Sequence, residues 1–219
     1  MQRSIQLFLV FLCVGVSSLA LSKPSVVEFP KSYEKEIKAL PFLVHTGPGD
    51  FDNALALNVP YGPIAELRSQ IETALGLSLD HFKGWNANGE AHVTVVTPPE
   101  YAAVLRSVLT MEDIHAIAKT LTIQASDLKI LGIGSGKKRI GDRNESTFFV
   151  IVDSCRLRSI RLRIWRLFVK KGGRPEAWDP TWFFPHITIG FTKTDLHEPD
   201  VLKDIKHAYD PRFKLKRTP

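Results

Sequence analysis

Two stretches of this chain set the same two polar side chains into sequence that otherwise reads as buried strand. FFPHITIGF, residues 183–191, carries His186 and Thr188; AHVTVVT, residues 91–97, carries His92 and Thr94. The β-branched and aromatic residues around them suit a pleated, half-buried surface. Pro185 stands at the start of the later strand, where a missing N–H is tolerated. On a strand, positions i and i+2 share a face, with Cα atoms about 7 Å apart. Each stretch therefore offers an imidazole and a hydroxyl side by side. A single His-x-Thr is more often a hydrogen-bonded structural pair than a site. Two of them in matching settings constrain the fold, because a functional role requires both strands to border one groove.

The surrounding elements repeat. Ala54–Val59 reads as a strand ended by Pro60 and Gly62. Pro63 suits a first helical turn, and Ile64, Leu67, Ile71, Ala74 and Leu75 recur at helical spacing as far as Gly76. The polar loop HFKGWNANGE then leads to His92. In the second half, Thr147–Val152 reads as a strand. Leu157, Ile160, Ile164, Leu167 and Phe168 mark a helix ended by Gly172-Gly173, and a loop with Trp178 and Trp182 leads to His186. Each half thus runs strand, helix, long loop and His-x-Thr strand, and the two histidines are 94 positions apart. The expected fold class is α+β and bilobal: two pseudo-symmetric β-α-β lobes, about 51–110 and 128–198, packed around a central groove. Between them, Tyr101–Leu109 and MEDIHAIAKT read as helices. Leu128–Ile133 reads as a strand joined to Thr147–Val152 through a polar turn, GSGKKRIGDRNES. Residues 21–50 are expected to be a loosely packed arm, with a short helix in KSYEKEIKAL and a brief strand at Phe42–Val44. Residues 199–219 form a tail.

The first 20 residues resemble a secretory signal peptide: Arg3, an apolar run from Leu7 to Val16, then Ser18-Leu19-Ala20 at cleavage-site spacing. Cleavage near Ala20 predicts a secreted, soluble protein without stable membrane association. Loss of Arg3 would leave 28 basic against 23 acidic residues, a balance compatible with a polyanionic partner but not diagnostic of one. Cys13 would also be lost, so Cys155 would remain alone and no intramolecular disulfide could form. A buried, inert thiol is the expectation for Cys155. Asn144-Glu145-Ser146 is a glycosylation sequon in what reads as a charged loop.

Two imidazoles on facing strands can divide acid–base work, since one can take a proton while the other gives one near neutral pH. Two threonine hydroxyls in the same groove can bind the non-bridging oxygens of a phosphodiester. This chemistry needs no metal and no other cofactor, and His45, His81, His115, His197 and His207 show no metal-ligand spacing. HVTV at 92–95 and HITI at 186–189 resemble the paired His-x-Thr-x signature of the 2H phosphoesterase superfamily. That group includes 2′-5′ RNA ligase-like proteins and cyclic phosphodiesterases. GEAHVTVVTPPEY and PHITIGFT are most similar to its Swiss-Army-knife branch, and the resemblance covers roughly residues 50–198. It implies a bilobal fold with a central groove and metal-independent action on 2′,3′-cyclic phosphates of nucleotides or RNA ends. His92 and His186 then take the acid and base roles, in an order the sequence leaves open, and Thr94 and Thr188 become phosphate ligands.

Trp182, Tyr61 and Trp85, with Trp178 and Phe184, lie near the motif strands and are candidates for stacking on a base. The arginines between Arg156 and Arg166 read as a solvated helix face. GIGSGKK fails as a phosphate loop, because its glycine spacing is one short and Lys138 stands where Ser or Thr is needed. Hydrolysis of a cyclic phosphate is the leading expectation. The alternatives are a secreted RNA- or nucleotide-binding module without turnover, and ligase-like joining of RNA ends.

Overall fold

The computed structural model describes residues 23–49, 51–83 and 89–219. The expected signal peptide and Trp85 lie outside the described residues. In chain order the elements are β1 (Ser25–Pro30), α1 (Tyr33–Ile37), β2 (Leu55–Asn58), α2 (Tyr61–Leu75), β3 (His92–Val96), α3 (Pro98–Ala103), α4 (Met111–Thr120), β4 (Lys129–Ile140), β5 (Arg143–Asp153), α5 (Cys155–Lys170), β6 (His186–Phe191) and β7 (Phe213–Thr218). The mixture is α+β. No helix among the described residues is long and apolar enough to cross a membrane.

Local sequence accounts for the elements that carry the site. In α2, Ile64, Leu67 and Ile71 turn one buried stripe inward, and Gly76 ends the helix in the left-handed conformation at φ 64°. In α5, the Ser154 hydroxyl accepts the Leu157 N–H, and Leu157, Ile160, Ile164 and Phe168 face the core. The strands β2 and β3 pair antiparallel, with Asn58 opposite His92 and Ala56 opposite Thr94. The second motif strand, β6, pairs antiparallel with β5, setting Ile151 opposite His186 and Phe149 opposite Thr188. It forms one edge of the sheet β4-β5-β6. Along β3, Val93 and Val95 are buried while His92 and Thr94 are half-buried; Ile187 and Ile189 alternate with His186 and Thr188 in the same way along β6. The apolar residues of both strands enter a single hydrophobic core that also takes in α2, α4 and α5. With their backs in one core, β3 and β6 lie against each other with both His-x-Thr faces turned the same way.

Four expectations are corrected. Residues 21–50 are not a loose arm: β1 pairs in parallel with β7, and Val27, Phe29, Tyr33 and Ile37 are fully buried. Val27 and Phe29 alternate as strand residues should, but their partner strand lies at the far end of the chain. Residues 199–219 are equally not a tail, since they supply β7. Phe42–Val44 forms no strand; an isolated bridge joins His45 to Ala54 instead. The helix expected over Tyr101–Leu109 starts earlier, at Pro98, and stops at Ala103. The two prolines occupy its first turn, and Thr97 and Glu100 form a capping box.

The GIGSG stretch is strand rather than turn. The arms β4 and β5 pair from Lys129 opposite Asp153 to Ile140 opposite Arg143, with one shift of register between Ile130 and Gly132, so Gly141-Asp142 is the turn of this hairpin. The sequon residue Asn144 therefore sits exposed on β5 and not in a loop. Gly132, Gly134 and Gly136 recur every second residue, so all three face one way. A Cβ at Gly132 would lie 3.1 Å from Tyr209, at Gly134 2.3 Å from Phe149 and at Gly136 2.3 Å from Val201. The bare backbone admits both Phe149 and the segment after Pro199, which docks through hydrogen bonds from Ser135 N–H to Ala208 O and from Asp210 N–H to Ile133 O. Phe149 in turn meets His186 edge-on, with ring centres 5.6 Å apart. Gly134→Ala is accordingly expected to destabilise the fold by about 1–3 kcal/mol through overpacking. It should also lower activity through His186, which denaturant unfolding and steady-state rates together would check.

Candidate active site

The two strands converge on one cavity of about 770 Å³ lined by His92, Thr94, His186 and Thr188. The four residues singled out by their spacing are thus brought together. The family model described as Swiss Army Knife, 2H phosphoesterase domain, matches residues 53–197. The chain belongs to that family. No curated protein and no solved structure matches it.

The two histidines hold matching places in their motifs, but their surroundings differ. His186 hydrogen-bonds through Nδ1 to the Phe184 carbonyl oxygen at 2.7 Å. Since a carbonyl only accepts, Nδ1 carries the proton, and in the neutral ring Nε2 holds the lone pair. Lys203 Nζ donates to that nitrogen at 3.2 Å. Burial, followed by the charge of Lys203, drives the His186 pKa well below its usual 6.5. His92 instead has a carboxylate neighbour, Glu90, whose Oε1 is 3.7 Å from Nδ1. Burial lowers its pKa too, and His45 adds to this, but Glu90 and Asp195 pull the other way. Phe82 stacks against the His92 ring with centres 5.9 Å apart.

Asp195 ties the floor of the cavity together. Its carboxylate accepts from Thr147 Oγ1 at 2.5 Å, from Lys203 Nζ at 3.3 and 3.4 Å, and loosely from Thr188 Oγ1 at 3.5 Å. His197 stands 3.8 Å from it. Asp52, Glu90 and Glu198 also line the cavity, and burial raises the Glu198 carboxyl pKa. Arg161 lines it as well, but all its donors are spent on Glu100 and on the carbonyls of Val95, Asp179, Pro180 and Trp182. Among the described residues, no group of three or more His, Cys, Asp or Glu side chains could hold a metal ion.

The other sequence candidates divide. Trp182 lines the cavity and is half exposed, and Phe184 lines it beside Trp182. Tyr61 is not among the described lining residues: its hydroxyl accepts from Arg68 at 2.8 Å and its ring stacks on His81. Gly89 passes close to its hydroxyl end, leaving no room there for a Cβ. Trp178 is buried, with its indole N–H on Glu100. Cys155 is exposed at the first turn of α5 rather than buried. Arg161 is 1% exposed, whereas Arg156, Arg158, Arg163 and Arg166 face solvent as expected. The sequence pattern singled out neither Asp195 nor Lys203, and took His197 only as a histidine without metal-ligand spacing, because all three follow β6 in a run with no periodicity.

Proposed function

We propose that this chain is a metal-independent phosphodiesterase that opens 2′,3′-cyclic phosphates, with two β-α-β lobes related by an approximate twofold axis around its cavity. The observation that carries the reading is the convergence of both His-x-Thr pairs on one cavity. We assign the roles from their surroundings. General acid–base catalysis runs best when the base has the lower proton affinity, so that both working forms are abundant together. His186, with an ammonium at its lone pair, is the base; His92, with a carboxylate at Nδ1, is the acid. His186 Nε2 takes a proton from water as its oxygen attacks phosphorus. His92 delivers a proton to the departing ribose oxygen, and a phosphomonoester results. Thr94 and Thr188 donate to the non-bridging oxygens.

A cavity lined by Asp52, Glu90 and Glu198, with its one described arginine already committed, repels added negative charge. A mononucleotide suits it better than a long polyanionic strand. We also take the protein to be secreted, with cleavage near Ala20 and a glycan on Asn144. In excess chelator, a 2′,3′-cyclic mononucleotide is expected to yield a nucleoside monophosphate, faster than an RNA oligomer with the same end. Binding without product at stoichiometric enzyme would overturn hydrolysis in favour of a binding module. Joining of cyclic-phosphate and 5′-hydroxyl ends would favour the ligase-like alternative.

A further inference from the structure

We propose that Lys203, which lies beyond the matched domain, is the positioning residue that makes His186 the base. The inference deepens the catalytic reading above and rests on it.

Three observations carry it. The Lys203 side chain is fully buried, with 0% exposure, although lysine is almost never buried unless paired. Its ammonium makes three polar contacts, two to Asp195 and one to His186 Nε2, and it lies 5.4 Å from the centre of the Phe149 ring. The segment that delivers it is fixed to the glycine face of β4, where Val201 meets Gly136 and Ala208 meets Ser135. So the placement is built by the fold rather than by a swinging surface side chain.

The consequence for His186 follows from donor and acceptor chemistry. An ammonium can only donate, so Nε2 must hold a lone pair wherever Lys203 is in contact. The Phe184 carbonyl can only accept, so Nδ1 must hold the proton. Together the two contacts select one neutral tautomer from opposite edges of the ring. An attacking water exchanges with the ammonium at Nε2, and Asp195 retains Lys203 meanwhile. The groups facing His186 are Lys203, Asp195 and His197 from the segment after β6, His92 from β3, and the uncharged Phe149 ring from β5. Of these, Lys203 alone is a lysine or arginine at the ring; burial lowers its pKa from 10.5, and the Asp195 carboxylate opposes that shift and favours the ammonium.

The test is a pH titration of His186 by nitrogen-resolved NMR, run beside the pH profile of kcat/KM for a 2′,3′-cyclic mononucleotide. In Lys203→Met, His186 is expected to titrate at higher pH, and the acidic limb of the profile should move up with it. Lys203→Arg keeps the charge and should hold both near their original positions. Since Lys203→Met leaves Asp195 buried and unpaired, Lys203→Met with Asp195→Asn removes both charges and guards against loss of folding. It too should raise the His186 titration. An unchanged titration in either Met variant, with the protein folded, overturns the role of Lys203 even if the enzyme is active. A raised titration in the Met variants, with the unsubstituted protein turning over nothing, upholds the positioning and sinks the catalytic reading instead.

Discussion

His186→Ala and His92→Ala are each expected to lower kcat/KM for a 2′,3′-cyclic nucleotide by about 10² to 10⁴-fold, the range of one acid or base contribution. Neither ring is a core anchor. His92 is 24% exposed at its side chain, and the apolar residues between the motif positions, Val93 and Ile187, do the packing. Both variants should therefore fold, which circular dichroism would check. The double variant should lose little more than either single one, because removing one member of a paired acid and base already disables the concerted proton transfer. The pH profile carries the sign. His186 must be neutral to act, and burial with Lys203 puts its pKa well below 6.5. His92 must be protonated to act, and burial puts its pKa below 6.5 by a smaller margin. The profile should be a bell with its maximum on the acid side of pH 6.5, and the limits belong to the pair rather than to either ring alone. A maximum above pH 8, or full activity in either alanine variant, is incompatible with this division of roles. The same groups set stability. Histidines whose folded pKa is depressed hold their stabilising contribution above 6.5 and lose it as pH falls towards the folded values. His92, His115 and His186 all shift in that direction, so the protein should weaken steadily on acidification below that point.

The four motif residues were legible because strand alternation alone dictates which way they face. Val93, Val95, Ile187 and Ile189 occupy the core positions, and the histidines and threonines take the other face without any long-range information. Elements bounded by strong local signals were legible for the same reason: Gly76 ends α2 and Ser154 starts α5. What stayed hidden depends on partners distant in the chain. Six residues of β1 look like a loose terminus until Phe213–Thr218 lies beside them. Glycines spaced by two look like a turn until Phe149 and Val201 press against them. Lys203 and Asp195 are ordinary surface residues by composition, and only the docking of their segment turns them into a buried pair. Sequence therefore disclosed the four motif residues but not the charges that tell the surroundings of one histidine from those of the other.

Arg161→Met is expected to cost about 3–5 kcal/mol, the range for removing one partner of a buried pair. Helical spacing places Arg161 one residue after buried Ile160, at the boundary of the apolar stripe, where sequence cannot distinguish a buried stem from a solvated one. The structure buries the whole guanidinium. It pairs with Glu100 at 2.8 Å, donates to Val95 O at 2.7 Å, Pro180 O at 2.9 Å and Trp182 O at 3.0 Å, and lies 4.6 and 4.9 Å from the Trp178 and Phe183 ring centres. Three parts of the site meet at this one group: β3 through Val95, the start of α3 through Glu100, and the loop carrying Trp182 towards His186. Methionine fills much of the volume but leaves those carbonyls without a donor and Glu100 without its cation. Lysine would keep the charge yet could not reproduce the planar fork, so Arg161→Lys should recover only part of the loss. Burial pushes the Glu100 carboxyl up, and hydrogen bonds and charge from Arg161, with the Thr97 N–H and the Trp178 indole, more than reverse it. With its folded pKa depressed, Glu100 stabilises the fold above its ordinary value of 4.5 and loses that contribution as pH falls further. Arg161→Met should lack that acid-dependent component, so its deficit should shrink below pH 4.5. Urea unfolding of both single variants and of Arg161→Met with Glu100→Gln, at neutral and acid pH, isolates the pair. A neutral-pH loss under about 1 kcal/mol, or a deficit that does not change with pH, would mean that the guanidinium fills space beside β3 without holding the cavity wall together.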